Sequence, residues 1–174
     1  MLQLLEKIVN ILTTLQIPYM LSGSIAMNFY AEPRVTQDID IVIDMQDYDV
    51  ASFVKALEDK FYYFQEGIYT EIRRKGMFNI IDFETGFKVD FIIRKNDLYE
   101  QVKFQNSRQV KYSDIDLRII NLEDLIISKL QWIQVLESDK QKNDIVNLLD
   151  NEQLDLDYVK YWCKNLRLKT YKLL

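Results

Sequence analysis

Asp38 and Asp40 stand two residues apart in the run Asp38-Ile39-Asp40-Ile41-Val42-Ile43, whose alternation reads as a strand. Strand side chains repeat every two residues, so both carboxylates leave one face while Ile39, Ile41 and Ile43 fill the other. Two neighbouring carboxylates repel each other and resist burial unless a cation neutralises them. Mg²⁺ or Mn²⁺ meets that need, because a hard ion takes oxygen ligands and shares them with phosphates. Asp90, in Lys88-Val89-Asp90-Phe91-Ile92-Ile93, is a third acid, isolated in an apolar strand. Such an acid usually lies at a strand end or on a wet face. Asp82, beside Ile80, Ile81 and Phe83, has a similar setting and competes with it.

Further polar residues stand near the diacid in sequence or on amphipathic helices. Gly23 and Ser24 form a turn ahead of a short helix expected over residues 24–30. Glycine permits backbone angles that other residues resist, and the helix would aim free N–H groups at an anion. Arg34 and Thr36 precede the diacid in a loop over 31–37, and Arg34 is either solvated or a phosphate contact. Lys129 falls near the middle of an apolar helical face, where a lysine snorkels along its stem or meets an anion. Asp144 lies on the flank of the following helix.

The elements that must hold these residues can be read from periodicity. Leu4, Leu5, Ile8, Ile11, Leu12 and Leu15 predict an amphipathic helix over 2–16, which Pro18 ends before a strand at Tyr19–Leu21. A helix is expected over 47–60, then an aromatic strand over 61–64. Apolar runs at 77–84 and 87–93, divided by Thr85-Gly86, read as a hairpin, and 104–120 as two more strands. From Asn121 the pattern turns helical, with segments at 122–136, 138–149 and 155–166; Asn121 and Asp124 have the spacing of a cap. The domain reading is a core over 1–120 with a C-terminal helical segment over 121–174 packed on it.

The Gly23-Ser24 pair, thirteen residues, the Asp38-Ile39-Asp40 strand, and Asp90 on a later strand together resemble the signature of the DNA polymerase β-type nucleotidyltransferase superfamily. A Pro-Arg-x-Thr run like Pro33-Arg34-Val35-Thr36 occurs there too. Asn121–Leu130 is similar to the Glu-Asp-Leu-x-x-x-Lys helix of bacterial nucleotidyltransferase-like proteins grouped with abortive-infection toxins. In that group a Lys on this helix and an Asp on the next match Lys129 and Asp144. The chain departs from the group at Asn147, where a second acid is expected. The likeness spans about residues 19–166.

The resemblance implies an α/β (α+β) fold, a mixed sheet flanked by helices with a C-terminal helical extension. It implies Asp38, Asp40 and Asp90 as metal-binding catalytic acids, with Gly23, Ser24, Arg34, Thr36, Lys129 and Asp144 toward the nucleotide. The activity implied is transfer of a nucleoside monophosphate from an NTP to an RNA end, a protein hydroxyl or a small molecule. A toxin–antitoxin or phage-defence role belongs to that expectation, with a toxin or antitoxin as protein partner. The alternative is a catalytically silent, antitoxin-like protein that binds a nucleotide or a partner.

Composition narrows the chemistry. The absence of histidine among 174 residues excludes Ser-His and Cys-His nucleophiles and argues against a zinc site. One cysteine, Cys163, leaves no internal disulfide, so a reducing cytoplasm is expected. A net charge of −5 argues against a broadly basic nucleic-acid surface while leaving room for a local groove. Neither a signal-peptide pattern nor an apolar run of the ~20 residues that cross a bilayer is present, so no membrane partner is expected.

Overall fold

A computed structural model of the chain describes residues 1–174. Its centre is a mixed seven-stranded sheet in the order β3-β4-β5-β2-β1-β7-β6. The strands are β1 (Tyr19–Leu21), β2 (Asp38–Ile43), β3 (Phe61–Tyr62), β4 (Met77–Asp82), β5 (Lys88–Ile93), β6 (Arg108–Tyr112) and β7 (Ile115–Ile119). The helices are α1 (Leu2–Thr14), α2 (Gly23–Met27), α3 (Val50–Leu57), α4 (Gln65–Arg74), α5 (Leu98–Gln105), α6 (Leu122–Val135), α7 (Asp139–Leu149) and α8 (Leu156–Asn165). The fold class is the mixed α/β arrangement expected.

Two pairings matter for the site. β2 runs parallel to β5 over its whole length and antiparallel to β1. β1 in turn meets β7 in parallel through Leu21 and Ile119. The three strands β5, β2 and β1 are therefore central, and their apolar faces are buried through Ile39, Ile41, Ile43, Val89, Phe91 and Leu21. On the β4–β5 side, Phe91 stacks on Phe78 at 5.2 Å, and Phe53 of α3 meets both rings edge-on. Leu4, Leu5, Ile8 and Leu12 of α1 join the same core, as do Leu125, Ile126 and Leu130 of α6. The Asn121 cap is realised: its Oδ1 accepts from Asp124 N–H at 2.8 Å.

Several boundaries differ from expectation, for local reasons. α2 is one turn, ending at Met27 instead of Tyr30, so little helix dipole accumulates at its start. The helix expected over 47–60 is a 3₁₀ turn at Asp47–Asp49 followed by α3, and the 61–64 strand keeps only Phe61–Tyr62. α4 and α5 were not anticipated. α4 buries only Ile68 and Ile72, a single i,i+4 stripe in a polar segment containing Gly67. α5 is capped by Asp97, whose side chain accepts from Glu100 N–H, and it takes Phe104 and Gln105 out of the expected strand region. Asp82 has a structural task in the β4–β5 hairpin: it is buried and accepts from Lys7 Nζ at 3.0 Å and from Thr85 N–H at 2.9 Å.

Candidate functional site

In the β2–β5 pair, Asp38 stands opposite Lys88 and Asp40 opposite Asp90. Residues two apart on a strand share a face, so these four side chains form a square on one side of the sheet. Three corners are carboxylates and one is an ammonium. Like charges directly opposite on neighbouring strands are destabilising unless something intervenes. Lys88 intervenes: its Nζ lies 2.8 Å from Asp90 Oδ2 and 3.7 Å from Asp38 Oδ1. Asp38 is exposed, Asp40 half-buried and Asp90 buried. Burial, then the charges of Asp90 and Asp38, push the Asp40 carboxyl above the usual carboxylate range.

The square has the donor chemistry for a hard cation. All three acids offer oxygen, the ligand type that Mg²⁺ and Mn²⁺ take. Asp90 Oδ1 is buried with no hydrogen-bond partner, a costly state that a cation would repair. The three carboxylates do not by themselves converge as a ligand set, and Lys88 Nζ lies among them.

Gly23 presses against this square. Its φ is +57°, and a Cβ there would come within 1.9 Å of Asp40 Oδ2. Glycine is therefore required twice, by the left-handed backbone and by the close approach. Ser22 N–H donates to the Asp40 carbonyl at 2.9 Å, which binds the turn to β2.

A second cluster joins residues far apart in sequence. Arg34 donates from Nε to Asp144 Oδ1 at 3.1 Å and from NH2 to Asp144 Oδ2 at 3.0 Å. The same NH2 donates to Ser24 Oγ at 2.6 Å. Lys129 Nζ donates to Asp144 Oδ2 at 2.7 Å and to Gln141 Oε1 at 3.0 Å. Burial would raise the Asp144 carboxyl, but the hydrogen bonds from Arg34 and Lys129 outweigh it and hold it below the usual range. Burial pulls the Lys129 ammonium below its ordinary value, while Asp144 and, more weakly, Asp40 oppose that shift. Gly23 packs against Asp40 and the next residue, Ser24, accepts from Arg34, so the acidic square and the cationic cluster adjoin. Thr36 Oγ1 exchanges hydrogen bonds of 3.3 Å with the backbone of Asp38, at the entry to β2. Arg34, Val35 and Thr36 also border a largely apolar cleft of about 370 Å³ whose other walls include Phe29, Tyr112 and Leu5.

Solved structures share this architecture. The lincosamide antibiotic adenylyltransferase LnuA, with lincomycin bound, superposes with a TM-score of 0.52 at 15% identity, covering 82% of this chain and 92% of its own. An antigenic nucleotidyltransferase-like protein from Paracoccidioides brasiliensis gives 0.55 at 14% identity, covering 95% and 88%. The fold is that of the nucleotidyltransferases. The solution structure of the antibiotic-resistance factor ANT(2″)-Ia gives 0.60 at 13% identity, covering 95% of this chain and 90% of that one. No protein-family profile matches the sequence, and no curated protein does.

Within the nucleotidyltransferase fold, the nine residues singled out from sequence fall into these two adjoining clusters, with Thr36 at the margin. Two participants were missed in that role. Lys88 was read only as a strand residue, although its i,i+2 spacing from Asp90 puts both on one face. Gln141, on α7, carries no sequence signal that would pair it with Lys129.

Proposed function

We propose that this protein is a metal-dependent nucleotidyltransferase that moves a nucleoside monophosphate from an NTP to a hydroxyl acceptor. The observation that carries this reading is the β2–β5 register, which sets Asp40 against Asp90 with Asp38 beside them. Asp38, Asp40 and Asp90 would hold one or two Mg²⁺ or Mn²⁺ ions, which supply charge neutralisation at the triphosphate and the departing pyrophosphate.

The chain's own groups do the positioning. Gly23, without a side chain, lets phosphate oxygens approach the backbone beside Asp40. Asp144 holds Arg34 and Lys129 together, so the cluster keeps one net positive charge next to Ser24 Oγ. Phosphate oxygens are its natural ligand. Asp90, facing Asp40 across the β2–β5 pair, would also help take the proton of the acceptor hydroxyl. The resulting oxygen attacks the α-phosphorus, and the bond to pyrophosphate breaks. The apolar cleft beside Arg34 and Thr36 offers a seat for the base or a small organic acceptor.

The acceptor is an RNA end, a protein hydroxyl or a small molecule. The Asn121–Leu130 resemblance supports a toxin–antitoxin or phage-defence setting, with a protein partner. The lincomycin-bound neighbour makes small hydroxyl compounds worth testing. One observation favours a second reading, a silent nucleotide- or partner-binding protein: Lys88 already lies among the acids.

The deciding experiment incubates the protein with each α-phosphate-labelled NTP, Mg²⁺ or Mn²⁺, and RNA, protein or small-molecule acceptors in turn. Label transferred by the native chain and abolished in Asp90→Asn supports the transferase. Nucleotide binding with no transfer selects the silent reading. Absence of nucleotide binding under all conditions overturns the transferase and leaves only the partner-binding form of the second reading.

A further inference from the structure

We propose that Lys88 is a built-in counter-ion of the acidic square, whose ammonium occupies part of the space a divalent ion needs and is displaced when that ion binds. This rests on the metal-binding reading of Asp38, Asp40 and Asp90. It adds that the site neutralises itself in the absence of metal, and that the protein's affinity for the free ion is set by competition with its own side chain.

The geometry points to Lys88 specifically. Its Nζ reaches two of the three acids, at 2.8 Å to Asp90 and 3.7 Å to Asp38. No other Lys or Arg lies at ion-pair distance from Asp38, Asp40 or Asp90, since Arg34 and Lys129 are both engaged by Asp144. The parallel register requires the contact: Lys88 is directly opposite Asp38, and its neighbour on the same face of β5 is Asp90. With Lys88 in place the square carries a net charge of −2, from three carboxylates and one ammonium. Without it the charge is −3. A lysine that bridges carboxylates on two strands relieves the repulsion that the Asp40–Asp90 pairing creates.

The same geometry makes the contact reversible. The Lys88 side chain is 40% exposed, so its flexible stem can swing the ammonium into water without opening the core. The arm to Asp38, exposed at both ends, holds weakly, and the arm to the buried Asp90 is the one the ion replaces. A divalent ion brings twice the charge and satisfies Asp90 Oδ1, which Lys88 leaves unpaired. A serine or alanine at position 88 would give no such competition. An arginine would strengthen it, because its planar fork can bridge two carboxylates at once.

The test titrates MnCl₂ into the full chain by calorimetry, with no nucleotide present, alongside thermal melts in EDTA. Lys88→Met and Lys88→Gln are expected to bind Mn²⁺ more tightly than the native chain, on the order of tenfold, because a unit positive charge has left the site. Both should melt lower in EDTA, by roughly 1–4 °C, and recover with Mn²⁺. Lys88→Arg, which retains the counter-charge and therefore the fold, should bind Mn²⁺ several-fold more weakly. It keeps the idea testable if the neutral variants do not fold. Mn²⁺ affinity that is unchanged or weaker in Lys88→Met and Lys88→Gln, or tighter in Lys88→Arg, overturns the proposal and leaves the metal site standing. If the folded native chain and all variants fail to bind Mn²⁺, the metal-binding reading falls and the counter-ion role falls with it.

Discussion

Gly23 shows how a single residue constrains the site. Its φ of +57° suits glycine, and any Cβ would collide with the Asp40 carboxylate. We expect Gly23→Ala to cost about 1–3 kcal/mol, since a left-handed non-glycine residue alone costs roughly 1–2 kcal/mol. A urea melt in EDTA reads the loss, and an unchanged midpoint would mean that the turn moves away from Asp40 at no cost. Lys129 and Asp144 make a contrasting pair. Lys129→Met keeps the bulk of the stem and leaves Asp144 paired with Arg34, so stability should change by less than about 1 kcal/mol while nucleotide affinity falls. Asp144→Ala strands two cations, one of them buried, and should cost about 3 kcal/mol. Equal losses in the two variants would show that Arg34 does not sustain Asp144 when Lys129 is gone.

Among the elements, the β4–β5 hairpin has its own electrostatic anchor. Asp82 ties the turn, through Thr85, to α1, through Lys7. Burial would raise its carboxyl, but hydrogen bonds from Thr85 and Lys7 bring it below the ordinary value of 3.8. A folded pKa below the unfolded one contributes stability at pH values above the unfolded pKa and loses it as pH falls through the folded pKa. Asp82→Asn should therefore be about 2 kcal/mol less stable than the native chain at neutral pH, the scale of a hydrogen bond to a charged group. That gap should begin to narrow as pH falls below about 3.8 and close once pH is below the folded value, and urea melts along the pH series would detect it. A gap that stays constant with pH would assign the anchor to geometry and not to charge. The same element had looked like a rival for the metal site, because an acid amid isoleucines reads alike whether it binds a cation or a turn.

At the scale of the whole molecule, the C-terminal helices and the sheet share one core. Leu122, Leu125, Ile126, Ile127, Leu130 and Ile133 of α6 are buried in the same cluster as the strands. Six such side chains, at about 1.5–3 kcal/mol each, contribute on the order of 10 kcal/mol, which is comparable to the whole stability of a domain. Asn151 Nδ2 also donates to the Tyr30 carbonyl at 2.8 Å, and Tyr30 OH donates to the Ile120 carbonyl at 2.7 Å. We propose that residues 121–174 are a segment completing the 1–120 core. A fragment ending at Ile120 should then lack a cooperative urea transition and bind a hydrophobic dye. A sharp transition in that fragment would make 1–120 an independent domain.

The sequence by itself determined the local pieces. Alternation along Asp38–Ile43 and Lys88–Ile93 marks strands with an acidic face, the i,i+3/i+4 stripes mark α1 and α6, and Pro18 and Asn121 mark boundaries. These signals are legible because periodicity and capping act within a few residues. α4 and α5 were not, since each buries only two residues and their helicity comes from the surfaces they pack on. The meeting of Asp40 with Asp90, the position of Lys88 beside Asp38, and the Arg34–Asp144 bond across 110 residues were decided by tertiary structure alone. Register between strands fifty residues apart is set by the packing of the whole sheet, and a slip of β5 by one residue would turn Asp90 to the face opposite Asp38 and Asp40. An ion pair between distant residues leaves no period in the chain, so only the folded molecule shows which carboxylates lie beside which cations.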